Sequence, residues 1–90
     1  MVRIGEVATF PDVKPDKEQA KKILEEAAEA FAAWQSWNDQ KWSISRRTAL
    51  LDECADVIQA VANMVAALGM DDFGEVMAAC EARNRERGRL

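Results

Sequence analysis

Between Leu50 and Leu68, apolar side chains return every three or four residues: Leu50, Leu51, Cys54, Val57, Ile58, Val61, Val65 and Leu68. That spacing sets them on one side of an α-helix and does not fit the two-residue alternation of a half-buried strand. A second stripe precedes it, made of Ala20, Ile23, Leu24, Ala27, Phe31 and Trp34. Two long amphipathic helices in succession commit the chain to an all-α fold, because each must lay its apolar side against another helix.

Local signals mark the ends of these segments. Asp16, with Gln19 three positions on, reads as an N-cap, and helix one then runs to about Asn38. Trp37 to Ser45 breaks the period and reads as a loop, with Ser45 capping helix two and Gly69 ending it. Asp72 and Glu75 form a second capping-box pattern before a third helix, which is expected to turn Phe73, Val76, Met77 and Cys80 inward. Residues 1–15 form an extended lead-in, since Pro11 and Pro15 discourage helix, and this arm is free to cross a neighbouring subunit. Residues 16–90 then make one helical domain, a bundle of about three main helices per chain.

Size adds a further demand. At this length only about 60 to 65% of the unfolded surface can be hidden by one chain. Yet 49% of the 90 residues are hydrophobic. The excess is most simply placed between helices of neighbouring copies, which predicts a homo-oligomer, with homodimer and homotetramer both open. The net charge of −4 argues against a general affinity for nucleic acid or anionic membrane, which reward a basic surface. No apolar run approaches the roughly 18 residues that cross a bilayer, and the N-terminus lacks a signal-peptide core. Cys54 and Cys80 lie in apolar helical patterns without zinc spacing, as reduced thiols of a cytoplasmic protein do.

The chemistry-bearing residues are acidic. Helix one carries Glu26-Ala-Ala-Glu29 and helix two carries Glu53-Cys-Ala-Asp56, so each presents two carboxylates at i and i+3, on one side of a turn. Beside them run small residues: Ala49, Ala60, Asn63 and Ala67 on helix two, Ala30 and Ala33 on helix one. Such rows let helices approach closely. Helix one alone favours a solvated polar side, because Glu18, Lys22 and Glu25 share it, but helix two shifts the balance to rows that face each other. Four carboxylates brought together repel unless a cation sits among them, and magnesium, with manganese as a substitute, prefers such hard oxygens. With those four set aside, the 12 remaining acidic residues equal the 12 basic ones.

Leu24-Glu25-Glu26-Ala-Ala-Glu29 followed by Asp52-Glu53-Cys-Ala-Asp56-Val57 resembles the paired E-x-x-E and E-x-x-D signature of the MazG-like all-alpha nucleoside triphosphate pyrophosphohydrolases, a group that includes dimeric dUTPases and dCTP pyrophosphatases. The likeness spans roughly Lys21 to Arg87, and the 23 residues between Glu29 and Glu53 suit that family's helix, loop and helix. The tail Arg83-Asn84-Arg85-Glu86-Arg87-Gly88 is similar to a basic, asparagine-containing segment of many single-domain members, with Arg83 where a lysine is common. The resemblance implies hydrolysis of a nucleoside triphosphate to monophosphate and pyrophosphate, with Glu26, Glu29, Glu53 and Asp56 holding magnesium. One glutamate would take the proton of the attacking water.

Other chemistries are excluded by what the chain lacks. There is no histidine, hence no Ser-His-Asp triad and no Glu-x-x-His di-iron bundle, and there is no P-loop pattern. Asn84 and Arg87, continuing the line of Phe73, Met77 and Cys80, are the expected phosphate donors, with Arg83 and Lys22 in reach; a frayed solvated tail is the competing reading of the arginines. Trp34 falls on the apolar stripe, whereas Trp37 and Trp42 belong to the loop and could stack on a nucleobase or contact another subunit. Two rivals stand beside the hydrolase: a non-catalytic helical oligomerisation module, and an enzyme of the same fold acting on phosphoribosyl-ATP.

Overall fold

A computed structural model describes residues 1–90. Three helices and no strands make up the chain: α1 (Lys17–Asp39), α2 (Ile44–Ala67) and α3 (Gly74–Glu86). The all-α expectation is met, and no helix is long and apolar enough to cross a membrane.

The helix ends follow from hydrogen bonds to otherwise orphaned backbone groups. At the start of α1 the Asp16 carboxylate accepts from the Gln19 N–H at 3.0 Å, as the sequence suggests. α2 begins two residues earlier than expected, because the Ser43 hydroxyl and not Ser45 caps it, accepting from the Arg46 N–H at 3.2 Å. The expected loop therefore shrinks to residues 40–43, and Trp37 lies inside α1. The second capping box is not formed either. Phe73 occupies the N-cap of α3 without a side-chain bond, and Asp72 instead accepts from the Gly74 N–H at 2.9 Å.

All three helices end in the same way, with a left-handed residue and paired return bonds. After α2, Gly69 (φ 83°) donates to the Ala66 carbonyl and Met70 to that of Val65. After α3, Gly88 (φ 73°) donates to Arg85 and Arg89 to Asn84. After α1 the left-handed position falls to Lys41 (φ 52°), and Trp42 follows in the same region at φ 63°. A lysine and a tryptophan thus stand where glycine is favoured.

α1 and α2 pack against each other as an antiparallel hairpin, whereas α3 packs against neither. All three expected helices are present, and within one chain only the first two pack together. Phe73, Val76 and Met77, expected inward, are exposed. The faces that meet also differ from the expected core: Ala60 and Asn63, from the small-residue row of α2, are the two buried residues of the chain. The apolar stripes are turned away from the contact or lie at its edge. Leu24, Phe31 and Trp34 of α1 and Leu51 and Leu68 of α2 are exposed, while Val57, Ile58, Val61 and Val65 are half-buried.

The physical reason is side-chain size. Alanines on both helices allow close approach, and once those rows meet, the bulky stripes on adjacent sides are rotated outward. The accessible surface is 7388 Å². A compact chain of 10.0 kDa would expose roughly 5,200 Å². Its radius of gyration, 15.2 Å, likewise exceeds the about 12 Å of a compact domain this long.

Candidate functional site

Of the half-buried positions of α1, Gln19, Ile23, Glu26, Ala30, Ala33 and Trp37 recur every three or four residues, with Ser36 beside the last, and mark its covered side. Glu53, Ala60 and Asn63 mark the facing row of α2. Because the neighbours at each turn are small, the longer carboxylates extend into the seam between the helices. One oxygen each of Glu26, Glu53 and Asp56 lies within 4.8 Å of the other two. Glu29, one turn beyond Glu26, is exposed, and its charge acts on both Glu26 and Glu53. Three of the four expected carboxylates are therefore gathered, with Glu29 beside them.

Electrostatics makes this approach costly. Oε2 of Glu53 is buried and accepts no hydrogen bond from the protein. Burial without a donor disfavours the ionised form of a carboxyl. Partial removal from water, followed by the charges of Glu29 and Asp56, raises the Glu53 carboxyl above its ordinary range. Glu26 is raised for the same first reason, with Glu29, Asp56 and Glu53 adding to it. The nearest cation is Lys22, whose Nζ pairs with Glu25 at 3.2 Å. Its pKa is raised by that hydrogen bond and charge, with Glu26 and Glu29 contributing further. Hard oxygens gathered without a cationic side chain among them are the donor set of magnesium or manganese, so the residues present fit such an ion.

Beside the acids opens a cleft of about 350 Å³ lined by Phe10, Gln19, Lys22, Glu26, Asp56, Gln59, Ala60 and Asn63. The N-terminal arm forms one of its walls and crosses its own α2, although the sequence left it free to cross a neighbour. The Phe10 N–H donates to Asn63 Oδ1 at 3.1 Å, and Gln59 Nε2 donates both to the Ala8 carbonyl at 2.9 Å and to Asn63 Oδ1 at 3.0 Å. Phe10, Gln19, Gln59, Ala60 and Asn63 line the cleft without having been expected in the site. The available signal was Asn63 itself, an asparagine within an alanine row.

The remaining expected site residues lie elsewhere. Trp37 and Trp42 pair with ring centroids 6.0 Å apart, and the indole N–H of Trp37 is buried without an acceptor. Eight residues separate Glu29 from Trp37, about 12 Å along a helix, and neither indole lines the cleft. Arg83, Asn84 and Arg87 belong to α3 and its C-cap, so the expected inward line toward the acids does not form within one chain. Asn84 bonds locally instead, donating to Cys80 Sγ at 3.6 Å and accepting from Arg89 Nη1 at 3.4 Å. Compared with known proteins, the chain matches no family model, no curated protein and no solved structure.

Proposed function

We propose that this chain is a magnesium-dependent hydrolase that cleaves a nucleoside triphosphate to monophosphate and pyrophosphate, in keeping with its resemblance to the MazG-like pyrophosphohydrolases. The observation that carries the reading is the approach of Glu26, Glu53 and Asp56 to within 4.8 Å, with no ion pair from a basic side chain to any of the three. A bound magnesium would supply neutralisation of phosphate oxygens and a more acidic water. Glu26, Glu53 and Asp56, with Glu29 beside them, would hold it.

The chain's own residues perform the remaining tasks. Lys22, on the rim with Glu26 and Asp56, offers an ammonium to a phosphate oxygen. One glutamate of the cluster would accept the proton of the attacking water. In the overall step water adds to phosphorus, its proton passes to that carboxylate, and the bond to pyrophosphate breaks.

The working form is read as a homo-oligomer, either dimer or tetramer. The surface excess of roughly 2,000 Å² per chain exceeds what each partner contributes to a standard interface, about 800 Å². An α3 that packs on neither helix of its own chain could lie on the exposed α2 stripe of a second copy, where Arg83, Asn84 and Arg87 would reach phosphate and Trp37 or Trp42 could meet the base. The two unpaired cysteines fit a reducing, cytoplasmic setting.

The test is to incubate the protein with the common and the oxidised or deaminated triphosphates plus magnesium and to measure pyrophosphate. Release that stops with chelator is expected. No pyrophosphate from any of them would remove the hydrolase reading and leave the oligomerisation module.

A further inference from the structure

The arm across the cleft carries an arrangement that metal binding does not explain. Asn63 is 4% exposed, and such a buried carboxamide is retained only when its polar atoms are used. Its Oδ1 takes two donors, the Phe10 N–H and Gln59 Nε2, and Gln59 spends the same amide on the Ala8 carbonyl. One side chain is thus bonded to the backbone of residue 10 and held in place by a neighbour that grips residue 8. The anchored segment nevertheless leaves Phe10 59% exposed, on the wall of the cleft that also holds Lys22, Glu26 and Asp56.

Folding alone would favour turning that ring inward, since exposing a phenylalanine forgoes the burial that usually places it inside. The latch holds the backbone of Phe10 at the cleft wall. We propose that Asn63 is a positioning residue that latches the N-terminal arm as a wall of the acidic cleft, so that Phe10 contacts the planar, uncharged part of a polyphosphate ligand. The inference rests on the nucleotide reading above and deepens it. The charged end of the ligand goes to the acid-and-Lys22 side and the ring to the arm, which makes the arm a selector for base-bearing over base-free polyphosphates.

The experiment compares wild type with Phe10→Ala, Phe10→Trp, Asn63→Ala and Gln59→Leu, using a nucleoside triphosphate and inorganic tripolyphosphate as alternative substrates with magnesium. Calorimetric binding of the same two ligands is measured in parallel. Phe10 and Gln59 are not fully buried, so their variants carry the test even if Asn63→Ala unfolds. The expected result is a roughly tenfold fall in the ratio of nucleotide to tripolyphosphate kcat/KM, through KM, for Phe10→Ala and the latch variants, as loss of aromatic stacking on a base gives. Phe10→Trp should keep or raise the ratio. Equal losses on both substrates, or no loss on either, would overturn the inference while leaving the hydrolase reading intact. Nucleotide binding without turnover, weakened in Phe10→Ala, would support the arm's role and remove the hydrolase reading. Absence of nucleotide binding would overturn both.

Discussion

Glu53 is the residue at which repulsion in the seam is felt most directly, because one of its oxygens is buried without a donor. Replacing it by glutamine supplies an amide N–H₂ and removes a charge. The expected outcome is a chain more resistant to urea than wild type when divalent ions are chelated. At the same time it should lose at least about a hundredfold in pyrophosphate release, the scale set by deleting one group that supports transition-state charge. The pH dependence follows with a definite sign. Glu26 and Glu53 hold their protons more tightly folded than unfolded, so the folded state binds more protons above the ordinary value of 4.5. Without divalent ions, stability should therefore rise as the pH falls from neutral through their raised pKa values toward 4.5. Saturating magnesium should reverse that slope by favouring the ionised forms. Denaturant midpoints across pH, with magnesium or with chelator, check both statements.

At the scale of elements, the caps and the α1–α2 turn are where sequence and conformation can be set against each other. The Asp16 carboxylate answers one orphan donor of α1, and Asp16→Ala should cost about 1 kcal/mol. The opposite sign is expected at Lys41, which holds the left-handed position that ends α1. Lys41→Gly relieves backbone crowding but frees the unfolded chain, so the net gain should be about 0.5–1 kcal/mol, read as a higher urea midpoint at unchanged slope. Much of this scale was legible beforehand. Asp16 and Gly69 were read correctly because capping and left-handed termination depend on neighbouring residues alone. Ser43 and Ser45 both offer a hydroxyl that suits the cap of α2, and only the geometry of the turn chooses Ser43.

At the scale of the whole molecule, the exposed stripes decide the behaviour. Leu51 sits on the α2 stripe, 51% exposed, away from the cleft residues. Wild type should sediment heavier than the 10.0 kDa chain, and Leu51→Asp should shift it toward monomer. α3 offers a second check. A 13-residue helix without tertiary contact is marginal in water, so its amides should exchange faster on dilution if another copy covers it. Exchange at α3 that does not change with concentration would count against the assembly.

By itself the sequence determined the all-α class, three helices at nearly their observed places, and the pairing of acids at i and i+3, because helical period and capping are short-range properties. Which faces meet was decided only in three dimensions. A broad apolar stripe and a narrow alanine-lined row both satisfy a helical period, and in the hairpin closed by residues 40–43 it is the side carrying Ala30, Ala33 and Ala60 that is covered, which leaves Glu26 and Glu53 half-buried and Leu24, Phe31 and Leu51 exposed. The arm on Asn63 was likewise beyond local reading, since a bond between residues 53 positions apart depends on how the helices already lie.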